Sequence, residues 1–461
     1  MNILLKCPTR SRPQKVLETI KTYYRLAAHP EQIGIAISCD TTDHTMKNQI
    51  ELQNVISKFA WSRIFYSDNQ TKIQACNANM QEIEWKWDIV VLVSDDMIPQ
   101  IRGYDDVIRN HMLSRFPDTN GILWFNDGNQ GEKLNTLCVY GHRFFESQGY
   151  IYHPDYKSLF CDTELTDQCR NEYKDRCLYI PYCIIRHEHP GTGFKQNMDK
   201  LYEINQRYWN EDMYTYIRRK RYAYDWSVLI PTIPGREEGL RNLLTSIREK
   251  VSRIAPELRV EYCVRFDNRE MSIGMKREEL LQGCKGKYCS FIDDDDDITD
   301  AYIEDLKATI QGNYPVMRLR GQINHYTFTH SIEVNLTDNM FKDGVFMRPP
   351  NHLNPMMADV AKLVHFRDAT NGEDLDWTIR LSKNGFLTNQ YTSDLSRIHY
   401  IYNMGNRVID ARAIDFQLHN SYDKMLNLVY VPNVGLKDKR IVQETVNVPV
   451  LRLTPRGFVS K

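Results

Sequence analysis

The sequence predicts an α/β protein with mostly parallel sheets, built as two tandem domains with a C-terminal extension. Three observations support this prediction. Strand-like and helix-like segments alternate along the chain, acidic residues follow the strands, and the same features occur twice in the same order. At 461 residues the chain is long enough for two domains, each with its own core.

Each half opens with an apolar strand that is followed by a Pro-Thr pair. These openings are Ile3–Lys6 with Pro8-Thr9 in the first half and Ser227–Ile230 with Pro231-Thr232 in the second. Apolar residues then recur at intervals of three and four, which predicts helices over residues 14–26 and 237–251.

Acidic residues follow the next strands of both halves. A second strand ends at Asp40 in the first half and at Asp267 in the second, and short helices are predicted over 72–80 and 272–281. A strongly apolar strand then runs into an acidic cluster. The clusters are Asp95-Asp96 in the first half and the five consecutive aspartates Asp293–Asp297 in the second.

Three later strings continue the repeat. They are Leu134-Asn135-Thr136 with Leu353-Asn354-Pro355, CDTEL (161–165) with NGEDL (371–375), and Ile185-Arg186-His187 with Arg397-Ile398-His399. Six features in one order predict a duplicated domain. The predicted organisation is a first domain over 1–200, a helical connector over 201–225, a second domain over 226–405, and an extension over 406–461 that packs on the domains.

Composition narrows the class of protein. The net charge of −1 argues against general coating of nucleic acid, although it permits a local basic groove. No run of about 18 apolar residues occurs, so no transmembrane span is expected. The opening MNILLKCPTR looks like a strand, and the eleven cysteines include no Cys-x-x-Cys pair. Buried reduced thiols in a cytoplasmic protein fit this pattern.

Crowded carboxylates at strand ends predict a cation site. Parallel sheets bind ligands beyond the carboxyl ends of their strands, and acids gathered there repel one another unless a cation lies among them. Hard divalent ions prefer oxygen ligands and keep positions open for phosphate oxygens. The alternative is that such acids cap the following helix, which is the role we predict for Asp296 and Asp297.

The ordered set of motifs resembles the GT-A fold glycosyltransferases of the family-2 type, whose domains are Rossmann-like. The resemblance covers about residues 1–195 and 226–405. In the first half, VSDDMIPQ, LWFNDG, KLNT and RHEHP look especially like glycosyltransferases carried by large bacteriophages. The resemblance implies a metal-dependent enzyme using Mn²⁺ or Mg²⁺ and a nucleotide-sugar, UDP-sugar above all, in the host cytoplasm if a phage encodes it.

The resemblance also implies roles for particular residues. Asp40 and Asp267 would contact the base or ribose of the donor nucleotide. Other donor contacts would be Pro8, Thr9, Arg10, Lys72, Pro231, Thr232 and Lys276. The metal-binding residues would be Asp95, Asp96 and His187 in the first half and Asp293, Asp295 and His399 in the second.

The acidic pair Glu373-Asp374 matches the family's catalytic acids, with Asp374 as the general base of an inverting single displacement. In the first half Glu164 stands at the equivalent place, and Asp162 lies two residues earlier. The alternative role for Glu373-Asp374 is a cap on the helix that Gly385 ends, and both roles are compatible.

Two questions stay open at the level of sequence. Both halves keep their acids, so the protein is either bifunctional or has one active half with an acceptor-binding or structural partner. The candidate acceptors are a protein, a glycan, a lipid-linked sugar and a hydroxymethylated DNA base. The resemblance to phage enzymes favours the base in double-stranded phage DNA, and a surface glycan is the main alternative. The basic run Arg218–Arg221, flanked by tyrosines 214, 216, 222 and 224, suits DNA phosphates and bases, or else is a solvated helix face.

Two rival hypotheses come from other functional classes. A nucleotidyltransferase would need a Gly-rich basic loop after the first strand, whereas PTRSRP has no glycine and PTIPGREE has one. A non-catalytic sugar-binding module would not need two sets of metal-binding acids. The oligomeric state is not predicted by these residues.

Overall fold

A computed structural model describes residues 1–189, 194, 199–324, 326–334 and 345–403, together with the backbone of 341–342, 451–454 and 457–459. The chain divides into two compact units, Met1–Lys220 and Arg221–Lys461. Each unit is a mixed α/β structure whose central strands run parallel, as the sequence predicts.

The first unit alternates strands and helices from its first residues to Lys220. Its elements are β1 (Ile3–Pro8), α1 (Pro13–Leu26), β2 (Ile33–Asp40), α2 (Ile50–Ile56), β3 (Trp61–Ser67), α3 (Lys72–Asn77), β4 (Ile89–Leu92), β5 (Met97–Pro99), α4 (Tyr104–Arg115), β6 (Ile122–Phe125), β7 (Val139–Gly141), α5 (His142–Gln148), α6 (Cys161–Arg170), β8 (Cys177–Ile180), β9 (Ile185–His187), α7 (Lys200–Gln206) and α8 (Trp209–Arg219).

Seven strands form the sheet of the first unit, in the order β3-β2-β1-β4-β7-β6-β8. The first four strands of this order are parallel, whereas β7 pairs antiparallel with both β4 and β6. Apolar clusters cover both faces of the sheet, one containing Ile20 of α1 and Ile108 of α4, the other containing Ile73 of α3 and Leu165 of α6. β5 and β9 pair separately beyond the carboxyl end of β4.

The second unit begins with the same alternation and continues into a second sheet. Its elements are β10 (Tyr224–Thr232), α9 (Glu237–Ile254), β11 (Val260–Phe266), α10 (Ile273–Gly283), β12 (Gly286–Phe291), β13 (Asp297–Ile298), α11 (Asp300–Gln311), β14 (Leu319–Ile323), β15 (Tyr326–His330), β16 (Phe341–Lys342), β17 (Val345–Arg348), β18 (Met356–Met357), α12 (Ala358–Ala361), α13 (Glu373–Lys383), β19 (Tyr400–Tyr402), β20 (Leu451–Thr454) and β21 (Gly457–Val459).

One sheet of the second unit has the order β18-β12-β10-β11-β20-β21, with β10 parallel to both β11 and β12. The other has the order β13-β19-β14-β15-β17-β16. Most of the predicted extension, 406–461, lies outside the described residues. Its strands β20 and β21 add antiparallel to the edge at β11.

The local predictions from periodicity are confirmed by the helices α1, α3, α9 and α10. Most of the predicted connector, 201–225, is formed by α7 and α8, which belong to the first unit; residues 221–225 belong to the second unit, where β10 begins. In α8, Asp212 is buried and accepts hydrogen bonds from three backbone amides of that unit, at residues 157–159. Within the described residues, no helix is long and apolar enough to cross a membrane.

Candidate active site

The acidic pair of the first unit lies directly after β4 and is buried. The carboxylate of Asp95 accepts a hydrogen bond of 2.9 Å from Arg12, the residue before α1. Arg12 also binds both carboxylate oxygens of Asp199 and stacks over the ring of Tyr202, 4.7 Å from its centroid. Burial raises the pKa of Asp95, and the charge of Arg12 opposes this rise. A fixed guanidinium therefore already balances the charge of Asp95.

Asp96 faces a histidine and two hydroxyl groups. Its Oδ2 lies 3.6 Å from Nε2 of His187, and it accepts hydrogen bonds from Ser94 and Tyr202. Burial alone would raise the pKa of Asp96, but the contacts with His187, Ser94 and Tyr202 outweigh it and hold the pKa well below its usual range. Asp96 is therefore an anion at neutral pH.

Asp96 and His187 fit two ligands of a divalent ion. Their side chains approach to 3.6 Å, so both would hold the same ion. Across the described residues, no three His, Cys, Asp or Glu side chains converge on one point. An ion here would therefore take its other ligands from water and from a diphosphate, as Mg²⁺ does in phosphate sites.

The predicted donor residues of the first unit cluster at the ends of β1 and β2. Pro8 ends β1, and Arg10 forms an ion pair of 3.0 Å with Asp40 at the end of β2. The hydroxyl of Thr9 is buried and makes no hydrogen bond within the described structure. An unpaired buried hydroxyl of this kind favours a bound polar ligand, such as a nucleoside.

The structure corrects the predicted equivalence of Glu164 and Asp374. α6 begins at Cys161 after Phe160, whose φ is +61°, just as α13 begins at Glu373 after Gly372, whose φ is +76°. Asp162 is therefore the second helical residue of α6, as Asp374 is of α13. A left-handed φ is easily adopted by Gly372 but strains Phe160.

The surroundings of the two acids support this correction. Glu164 is buried and bound through both oxygens to Arg219 of α8, at 3.0 and 2.9 Å. Asp162 instead lies near Lys72 and His187; burial raises its pKa, and the charges of Lys72 and His187 oppose the rise. The first unit therefore offers Asp162, and not Glu164, as a candidate base.

In the second unit the place of Asp95 belongs to Asp294. Arg236, the residue before α9, contacts Asp294 at 2.6 Å, and the hydroxyl of Thr232 donates to the same carboxylate at 2.6 Å. Asp295 then matches Asp96 and is half-exposed, 3.0 Å from Arg236. Asp293 is an additional acid at the place that Ser94 occupies in the first unit.

His399 does not have the place of His187. Its Nε2 contacts Asp305 at 2.7 Å, and its Nδ1 accepts a hydrogen bond from the backbone amide of Arg320. Both ring nitrogens are therefore engaged away from the aspartate cluster 293–297. β13 pairs with β19 so that Asp297 faces Ile401, and the same register places Tyr402 beside Asp296. Burial and then the neighbouring aspartates raise the pKa of Tyr402 to about 12. These contacts do not support the metal role predicted for His399.

The predicted role of Asp296 and Asp297 as caps of the following helix is wrong. α11 begins at Asp300, after Thr299. Asp296 is buried and accepts from the hydroxyl of Tyr400 and the backbone amide of Asn403, at 2.7 and 2.8 Å. Burial raises the pKa of Asp296 to about 7 despite these bonds. Asp297 instead accepts a hydrogen bond from Ser246 of α9 at 2.9 Å.

Two predicted donor residues of the second unit pair with each other. Lys276 of α10 is buried and forms an ion pair with Asp267, which also accepts from the backbone amides of Glu270 and Met271. Burial alone would raise the pKa of Asp267, but these contacts lower it. Pro231 and Thr232 are the last two residues of β10, the strand that pairs with β11 just before Asp267.

Asp374 lines a pocket in the second unit, where the acids meet a buried arginine. The pocket has an empty volume of about 860 Å³ with its open mouth included. Arg277 bridges Glu373 at 2.6 Å and Asp293 at 3.8 Å. Asp374 is half-buried, and no hydrogen bond or ion pair within the described residues engages its carboxylate.

The sequence analysis missed several residues of both sites. Arg12 and Arg236 follow the two Pro-Thr pairs by three and four residues, a spacing that could have identified them. No local pattern marks Tyr202, Arg277 or Tyr402, because each comes from an element remote in sequence from the acids that it approaches.

The basic run 218–221 takes part in intramolecular contacts. Arg219 binds Glu164, and the hydroxyl groups of Tyr216 and Tyr222 donate to Asp167 and Asp359. These contacts favour a structural role for this segment over contact with nucleic acid.

No protein-family model and no curated protein matches this sequence. Among solved structures, the chain is similar to a mannosyltransferase, PcManGT from Pyrobaculum calidifontis, in complex with GDP-Man and Mn²⁺. The identity is 11% and the TM-score 0.37, over 47% of this chain and 63% of that one, which is less than two thirds of its length. TarS residues 1–349 from S. aureus, in complex with UDP-GlcNAc, are 14% identical with a TM-score of 0.29, over 44% of this chain and 67% of that one.

Proposed function

We propose that the protein is a glycosyltransferase that moves a sugar from a nucleoside-diphosphate donor to an acceptor hydroxyl. The observation that supports this proposal most directly is the pocket of the second unit. It brings the unengaged carboxylate of Asp374 into one cavity with Asp293 and Arg277, next to the acids that follow β12.

The roles follow from the charges. Asp374 would remove the proton from the acceptor hydroxyl as that oxygen attacks the anomeric carbon, which inverts the configuration. Arg277, held by Glu373 and Asp293, keeps a positive charge beside the reacting groups. A divalent ion would neutralise the diphosphate leaving group. Asp295 in the second unit, and Asp96 with His187 in the first, are the residues that would hold it.

The first unit would use the same chemistry with Asp162 as base, so we propose a bifunctional enzyme. The donor proposed for both units is a UDP-sugar, the nucleotide that the sequence resemblance implies. For the acceptor, a hydroxymethylated base in DNA and a surface glycan are the competing hypotheses. The ion pair of Arg219 with Glu164 and the hydrogen bonds of the flanking Tyr216 and Tyr222 weigh against DNA.

The test is a screen of the purified full chain with UDP- and GDP-sugars, in Mn²⁺, in Mg²⁺ and in a chelator. Release of nucleoside diphosphate only with metal is expected. Absence of both turnover and donor binding with every donor would contradict the proposed function.

A further inference from the structure

The pocket of the second unit has a basic wall in addition to its acids. This wall consists of His330, Arg348 and His352, and it lies beside the rings of Phe328 and Phe346. Asp293 and Asp374 line the same pocket. The cavity therefore presents carboxylates, aromatic rings and two arginines, Arg277 and Arg348, to a single ligand.

Backbone pairing fixes the basic wall in place. β15 and β17 run parallel with His330 directly beside Arg348. The carbonyl of His352 accepts from the amide of Phe291 at 2.9 Å, and the two rings are 5.8 Å apart. Because Phe291 is the last residue of β12, the wall is attached to the strand that leads into the acids.

The wall holds one charge that no described carboxylate neutralises. Arg348 is half-buried and forms no ion pair with any residue that the structure describes. His330 and His352 are buried, and Nδ1 of His352 has no hydrogen-bond partner within the described structure. Burial lowers the pKa of both histidines, that of His330 to about 3. The charge of Arg348 adds to this effect at His330, and the charges of Arg277 and Arg348 add to it at His352. Both histidines are therefore neutral.

A half-buried guanidinium beside an unpaired imidazole nitrogen is suited to an anionic ligand. Arginine presents a planar fork of donors that matches the oxygens of a phosphate or a carboxylate. Flat aromatic walls suit the apolar face of a sugar ring. The acids that line the same pocket would repel that anion, so they would orient the ligand.

We propose that the second unit takes an anionic glycan or polyol as acceptor, with its phosphate or carboxylate group bound by Arg348 and its hydroxyl directed to Asp374. This inference rests on the proposed function and specifies its acceptor. Phe328 and Phe346 contact the carbon skeleton between the two groups, and His352 supplies a further polar contact.

Matched acceptors test the inference. The full chain is assayed with a nucleotide-sugar donor and with a polyol, its phosphate monoester, a uronic acid and a neutral hexose, and hydrolysis of the donor alone is measured in parallel. The wild type should prefer the anionic member of each pair. Arg348→Gln should raise KM for anionic acceptors about 10- to 100-fold, since a hydrogen bond to a charged group is lost. Neutral acceptors and donor hydrolysis should be unaffected.

Two variants control for charge and folding. Arg348→Lys keeps the charge but loses the fork, so it should restore part of the preference. Arg241→Gln removes an equal charge from the exposed face of α9 and should change nothing. Equal use of neutral and anionic acceptors by the wild type would overturn the inference, as would a stronger preference for hydroxymethylated duplex DNA. If Arg348→Gln raises KM for the donor in hydrolysis, the anion belongs to the donor diphosphate instead.

Binding of inorganic phosphate separates this inference from the proposed function. Titration calorimetry should show that the wild type binds phosphate and that Arg348→Gln binds it at least tenfold more weakly, even if no donor is turned over. Phosphate binding without turnover of any donor would leave the anion site standing and refute the glycosyltransferase. Equal phosphate affinity of the two proteins, or no binding to the wild type, would refute the anion site.

Discussion

Replacing Asp374 by Asn separates chemistry from binding in the second unit. The substitution keeps the shape of the side chain and removes the carboxylate that would accept the acceptor's proton. Loss of a positioned general base lowers kcat by about 10²- to 10⁴-fold, equivalent to about 3–5 kcal/mol in the barrier. Donor affinity should stay at the wild-type value, because no described residue depends on this carboxylate for a hydrogen bond.

Stability gives an independent readout of the same variant. The charges of Glu373 and Asp293 both lie near Asp374, so removing one negative charge relieves repulsion. The free energy of unfolding should stay constant or rise by at most about 1 kcal/mol. The matched control is Asp300→Asn on α11, which removes an exposed ion pair with Arg253 of α9 and should leave transfer unchanged.

The assay follows nucleotide release and product formation with saturating donor, and donor binding by calorimetry. Transfer by Asp374→Asn within about threefold of wild type would refute the base role, given the magnitude expected for a general base. Loss of donor binding in parallel with transfer would instead make Asp374 a donor contact.

Two further predictions concern the first unit. Asp162→Asn should abolish its transfer without loss of stability, whereas Glu164→Gln should lower the free energy of unfolding by about 1–3 kcal/mol and leave donor hydrolysis intact; the reverse pattern in denaturant melts and hydrolysis assays would restore Glu164 as base. Burial lowers the pKa of Lys6 from 10.5 to about 8, so between these values the unfolded chain holds a proton that the folded chain has lost. The free energy of unfolding should therefore rise with pH across that window, by up to roughly 3 kcal/mol, in the wild type relative to Lys6→Met. Parallel pH profiles of the two proteins would contradict the buried lysine.

Local patterns in the sequence predicted what depends on neighbours along the chain. The helix over 14–26 follows from apolar spacing and is α1, and the acids at 95–96 and 293–297 follow directly from the ends of buried strands. These predictions succeeded because periodicity and strand ends are set by residues within one element.

The failed predictions depended on backbone geometry that similar letters do not show. Arg397-Ile398-His399 looks like Ile185-Arg186-His187, but the pairing of β13 with β19 gives the place of His187 to Tyr402. The strings CDTEL and NGEDL align Glu164 with Asp374. In the structure α6 begins directly after Phe160, whose φ is left-handed, so Asp162 takes the position that corresponds to Asp374. Arg348 and His352 share a pocket with the acids only through long-range backbone pairing, so no local pattern could have marked them.

The central claim is that the two acidic clusters support sugar transfer, and donor turnover by matched double variants tests it most directly. Nucleoside diphosphate release would be measured with Mn²⁺ for the wild type, Asp95→Ala/Asp96→Ala and Asp293→Ala/Asp295→Ala. We expect each double variant to lose the turnover of its own unit and to keep that of the other, with both proteins folded. Wild-type turnover in both double variants would contradict the account.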